Sequence, residues 1–131
     1  MLLLLDTHIL LSLARNEFEG LPVDIRNALQ DHRNALFATT ASLWEIAIKH
    51  RLRRLQSPCS LDKWPAVLSA LAISLMEIHP KHALGEAEAS VRTKDPFDRI
   101  MLAICQVESM RLVTLDGSLR DHPLTWRLAS A

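Results

Sequence analysis

Leu2-Leu3-Leu4-Leu5-Asp6-Thr7 is the stretch that decides the fold. Four consecutive leucines bounded by a polar residue read as a short strand buried on both faces, the kind found in parallel sheets. Asp6-Thr7 then reads as a helix start, followed by Ile9, Leu10, Leu11 and Leu13. A buried strand running straight into a helix is the opening unit of an alternating α/β domain.

Outward from there the alternation continues. Residues 23–32 read as a helix, 35–38 as a strand, and Thr39 or Thr40 as the cap of a helix over 41–55. Ser57-Pro58-Cys59-Ser60 breaks the pattern, and 61–71 has Trp64, Val67, Leu68 and Leu71 at helical spacing. A third strand is predicted over 74–78 and a short helix over 82–89. Asp95-Pro96-Phe97-Asp98 is a strong helix start, because Pro suits the first helical position and Asp95 can cap it. That helix runs to Glu108, a fourth strand covers 111–115, Asp116-Gly117 turns the chain, and 124–128 reads as an edge strand. The expectation is one α/β domain over residues 1–131, with a mostly parallel central sheet of four to five strands.

Composition sets limits. The 131 residues are 49 % hydrophobic and 23 % charged, the balance of a globular chain. Three glycines leave no Gly-rich phosphate loop. Cys59 and Cys105 make neither a disulfide framework nor a zinc site. The leucine run stops at Asp6 and has no basic leader, so it is too short for a signal peptide or a membrane span, and a cytoplasmic location is expected. Lys+Arg and Asp+Glu are 15 each, which at first argues against a nucleic-acid partner.

Four carboxylates carry the chemistry. Asp6 and Asp116 end strands, where open α/β sheets bind ligands. Asp98 sits in the first turn of a helix beside Asp95. Glu45 lies among Leu43, Trp44, Ile46, Ala47 and Ile48, a costly setting for a charge without a partner or a metal. Each has a structural alternative. Asp6 and Asp95 can cap helices, Asp116 can open a turn, Asp98 can complement a helix N-terminus, and Glu45 can pair with Lys49. Taken together, four acids at sheet ends and helix starts point to a divalent cation held by oxygen, Mg²⁺ or Mn²⁺, and to phosphodiester hydrolysis. His8 is read as a helix-start residue, and no Ser-His-Asp or Cys-His set competes.

The strings Leu3-Leu4-Leu5-Asp6-Thr7-His8, Trp44-Glu45-Ile46-Ala47-Ile48-Lys49, Asp95-Pro96-Phe97-Asp98-Arg99 and Val113-Thr114-Leu115-Asp116 resemble the PIN-domain family, in particular VapC-type toxins of prokaryotic toxin–antitoxin pairs. The similarity spans nearly the whole chain, and the second and third strings are the specific ones. It implies a three-layer α/β/α fold and a Mg²⁺- or Mn²⁺-dependent endoribonuclease whose acids correspond to Asp6, Glu45, Asp98 and Asp116. Asp95 matches an acid adjacent to that set, and Thr114 a supporting hydroxyl. The resemblance also implies a cognate antitoxin and a homodimer. The apolar helices 10–13 and 61–71 are nevertheless read as core. Two positions depart from the family: Arg53, where many relatives have Gly, and Thr93-Lys94, where many have His shortly before Asp95.

Basic residues flank the acids. Lys49, His50, Arg51, Arg53 and Arg54 form one stretch, and Arg92, Lys94 and Arg99 the other. Either is a solvated face or a phosphate contact, with Lys49, Arg51, Arg54 and Arg99 the candidates for RNA. Trp44, Trp64 and Trp126 are read as core or interface. If four of the 15 acids serve a metal, 11 remain against 15 bases, so the neutral total conceals a basic surround. Other readings are a PIN nuclease of RNA processing without an antitoxin, an inactive RNA- or protein-binding PIN module, and a phospho-receiver. The last lacks its acceptor Asp, since His79-Pro80 follows the third strand.

Overall fold

The computed structural model describes residues 1–85 and 95–127. Strand β1 (Leu2–Leu5) leads into helix α1 (Thr7–Ala14), and a 3-10 turn (Phe18–Gly20) precedes α2 (Val23–Gln30). Strand β2 (Ala35–Thr39) feeds α3 (Thr40–Arg51). A 3-10 turn (Leu61–Lys63) and α4 (Trp64–Ala70) lead to β3 (Ile73–Met76) and α5 (Pro80–Leu84). Helix α6 (Pro96–Glu108) then returns the chain to β4 (Arg111–Val113) and a last 3-10 turn (Gly117–Leu119).

The sheet runs β3-β2-β1-β4 with every pairing parallel. Leu4 lies opposite Phe37, Leu5 opposite Val113 and Ala38 opposite Leu75. The pleat divides the leucines of β1 between two cores. Leu3 and Leu5 pack with Ile9, Leu10, Ile25, Ile46, Trp64 and Leu68 on one face. Leu4 packs with Met101, Leu102, Ile104 and Cys105 of α6 on the other. Burial pushes the Cys105 thiol up to about 12, as befits an inert core thiol. The helices 10–13 and 61–71 therefore serve the core, as expected.

The structure revises several boundaries. The edge strand expected over 124–128 is, among the described residues, a single bridge between Leu112 and Thr125, and residue 128 lies outside them. Pro123 stands just before it and cannot donate to a ladder. The helix predicted over 82–89 instead runs Pro80–Leu84 and ends before an extended Gly85, and residues 86–89 lie outside the described residues. Trp64 is core and Trp126 half-buried, but Trp44 is 62 % exposed and so is not core.

Among the described residues, four helix-end positions sit in the left-handed region, and none is Gly: Asn16, Arg53, Ala72 and Ser109. At Arg53 the reason is visible. The Arg53 amide donates to the His50 carbonyl, and the Arg54 amide to the Lys49 carbonyl, closing α3 with the double bond pattern that normally places Gly there. The departure from the family at Arg53 therefore falls on a position whose backbone favours Gly.

Candidate active site

Parallel strands share one carboxyl edge, and the chain assembles the acids along it. Asp6 follows β1 directly, and its amide donates to the Val113 carbonyl of β4 at 3.0 Å. Its carboxylate does two structural tasks. Oδ1 accepts the His8 and Ile9 amides at 2.9 and 3.2 Å, capping α1, and Oδ2 accepts the Thr114 hydroxyl. Thr114 in turn accepts the Asp116 amide at 3.0 Å. The ladder ends at Val113, opposite Leu5, where β1 gives way to α1. The fourth strand is accordingly shorter than the predicted 111–115.

Asp6 is 4 % exposed, and burial raises its carboxyl above the ordinary value of 3.8, against the lowering pull of Thr114 and the two amides. Glu45 is equally hidden, at 6 %. It lies on the inward face of α3, which starts at the carboxyl edge beneath a Thr39 cap. Its Oε1 accepts the Thr7 hydroxyl and its Oε2 the Lys49 ammonium, each at 2.5 Å. The Ser42 hydroxyl oxygen, one turn before Glu45, lies 3.0 Å from that of Thr7. Thr7 thus joins Asp6, its chain neighbour, to Glu45.

Asp98 arrives from the other face. Helix α6 ends two residues before β4 and so runs antiparallel to the strands, with its N-terminus at their carboxyl edge. Asp95 caps it by accepting the Phe97 amide at 2.9 Å, and Asp98 is in the first turn. Phe97 meets Trp44 edge-on, with ring centroids 5.6 Å apart, and Met101, three residues beyond Asp98, touches Ser42. These contacts set the first turn of α6 against the segment of α3 that bears Glu45. Asp116 is exposed, and its Oδ1 accepts the amide and hydroxyl of Ser118, capping the last 3-10 turn.

The structural readings of these acids are visible: Asp6, Asp95 and Asp116 are caps, and Glu45 pairs with Lys49. Among the described residues, no three His, Cys, Asp or Glu side chains converge closely enough to hold an ion between them. The donor set around Asp6 and Glu45 is nonetheless oxygen alone, carboxylate and hydroxyl, and suits a hard cation in kind. Lys49 is engaged by Glu45 while its side chain stays partly exposed. Arg51 and Arg54 are exposed, and Arg51 lies about 9 Å along the axis of α3 from Glu45. Arg99 is exposed beside Asp98, and His8 is exposed. Arg92, Thr93 and Lys94 lie outside the described residues.

Thr7 and Ser42 escaped the sequence reading as site residues. Ser42 precedes Glu45 by one helical turn, a spacing that could have drawn attention to it. The pairing of Thr7 with Glu45 spans 38 residues and has no local signal.

A sequence model of the PIN domain matches residues 3–123. The chain belongs to the PIN-domain family. No curated protein matches it. PIN domains are typically metal-dependent nucleases and generally use divalent ions. The four-stranded all-parallel sheet flanked by helices is the PIN-like fold. Among the described residues, no helix of this PIN domain is long and apolar enough to cross a membrane.

Proposed function

We propose that the chain is a Mg²⁺- or Mn²⁺-dependent endoribonuclease, the toxin of a toxin–antitoxin pair. The observation that carries this reading is the burial of two carboxylates, Asp6 and Glu45, linked through Thr7 at the carboxyl edge of the sheet. Buried acids destabilise a fold unless something positive meets them; Lys49 meets Glu45, whereas Asp6 accepts the Thr114 hydroxyl and two amides.

Asp6, Glu45, Asp98 and Asp116 would hold the ion. When bound, it supplies charge that polarises a phosphate oxygen and lowers the pKa of a water. Thr114 orients Asp6 through its hydroxyl, and Thr7 orients Glu45. Asp95 fixes the first turn of α6, and with it Asp98. Arg99, Arg51 and Arg54 would meet RNA phosphates, and Lys49 would join them once its hold on Glu45 is relieved.

The test is cleavage of an RNA panel with Mn²⁺, with EDTA, and by Asp6→Asn and Asp98→Asn. Cleavage that needs the metal and both acids is expected. Undiminished cleavage by both purified variants would remove the assignment. The toxin role, with its cognate antitoxin and homodimer, predicts growth arrest on expression, relieved by the product of a small neighbouring gene. Cleavage without arrest would favour an RNA-processing nuclease.

A further inference from the structure

Two clefts open beside Asp116 and share a wall. One, of about 360 Å³, lies between Pro22–Ile25 and the chain after β4, where Thr114, Asp116, Arg120, Trp126 and Arg127 line it. The other, of about 430 Å³, runs down α1, where His8, Leu11, Ser12 and Arg15 form one helical stripe. Leu115 and Asp116 border both clefts, so they form a ridge between them. The run continues past Arg15. Its guanidinium donates to the Gln56 carbonyl at 2.9 Å, and Gln56 lines a third cleft with His50, Arg53 and Arg54.

Five arginines from three separate parts of the chain thus follow one another over the surface: Arg127, Arg120, Arg15, Arg54 and Arg53, all exposed. The acids along the run are Asp116 on the ridge and Asp24, whose Oδ1 accepts the Ile25 amide. Trp126 packs part of its ring on the core while also lining the first cleft. A cationic groove with an aromatic wall is the chemistry that holds an unpaired strand: guanidinium on phosphate, ring on base. Clefts of this size fall at the small-ligand end of pocket volumes and suit splayed nucleotides rather than a stacked duplex.

We propose that this run is the track for a single RNA strand. The strand crosses the Leu115–Asp116 ridge with phosphates on Arg120 and Arg127 to one side and on Arg15 to the other. The proposal rests on the nuclease reading for its substrate class, and it adds where the strand lies and which residues hold it.

Fluorescence anisotropy with a labelled twelve-nucleotide RNA of mixed sequence, in EDTA over a salt series, tests it on the full chain. Arg15→Ala and the double variant Arg120→Ala/Arg127→Ala should each weaken binding at least fivefold. The double variant should flatten the log–log salt slope by roughly 1.4, about 0.7 for each phosphate contact on a single strand. Arg33→Ala should bind like the wild type, since Arg33 is exposed, pairs with Asp31 and precedes β2 at the opposite edge of the sheet. The duplex of the same RNA should bind more weakly. Arginine variants that bind like Arg33→Ala would overturn the track, as would a duplex bound as tightly as the single strand. Track-dependent binding without cleavage in Mn²⁺ would uphold the track and remove the nuclease reading. Cleavage with an unchanged KM in the arginine variants would do the reverse.

Discussion

Lys49→Met separates a buried acid from its counter-charge. The Lys49 ammonium lies 2.5 Å from Oε2 of Glu45, whose side chain is 8 % exposed against 36 % for Lys49. Removing one partner of a fully buried pair costs about 3–5 kcal/mol, while exposed pairs are worth about 0.2–1 kcal/mol. This pair is buried at one end and partly wet at the other, so a loss of about 2 kcal/mol is expected. For a domain of this size that lowers Tm by roughly 6–10 °C. The Met side chain keeps the aliphatic packing of Lys, so the loss reports the charge. Urea denaturation in EDTA measures it. Glu45→Gln should reduce the cost of Lys49→Met to less than about 1 kcal/mol, since no buried charge then remains to be met. Saturating Mn²⁺ should also shrink the loss, because an ion at the acids stabilises the folded state and answers the same charge. A loss below about 0.5 kcal/mol in EDTA would refute the reasoning, because Glu45 would then not depend on Lys49.

Three further outcomes follow from particular contacts. Arg53→Gly and Ala72→Gly should each stabilise the fold by about 0.5–1 kcal/mol, the left-handed penalty of a side chain less the extra entropy of Gly; a lower Tm in both would contradict the helix-end geometry. Asp6→Asn keeps a capping side chain and removes a titration. The folded Asp6 holds its proton more firmly than the unfolded chain, so its stabilising contribution is complete below 3.8 and disappears as pH rises through its raised folded value. In EDTA, wild-type stability should therefore fall relative to Asp6→Asn as pH increases above about 4, and a constant difference from pH 3 to 7 would refute the burial effect. Thr114→Val removes the hydroxyl that donates to Asp6, and cleavage or metal affinity should drop about 10–100-fold; unchanged kinetics would make Thr114 a bystander.

What the sequence revealed depended on how local the signal was. Four leucines ending at Asp6 located β1, because hydrophobic runs and a cap are read within a few residues. The Asp95-Pro96 start of α6 was legible for the same reason. Glu45–Lys49 was visible as a helical i,i+4 pair. Boundaries shifted where a distant partner sets them, as after Val113, whose ladder stops where β1 ends at Leu5, 108 residues away. The track was hidden for a similar reason. Arg15 and Gln56 lie 41 residues apart, and Arg120 and Arg127 sit in a segment whose expected strand shrank to one bridge. The departure at Arg53 was legible only by resemblance, and its backbone angle supplies the physical meaning.

Titration of the metal-stripped protein with Mn²⁺, followed by the electron paramagnetic resonance of the unbound ion, tests the carboxylate site most directly. Saturable binding in the wild type, weakened at least tenfold by Asp6→Asn and by Asp98→Asn, is the predicted result. Equal Mn²⁺ affinity in the wild type and both variants, each folded, would contradict it.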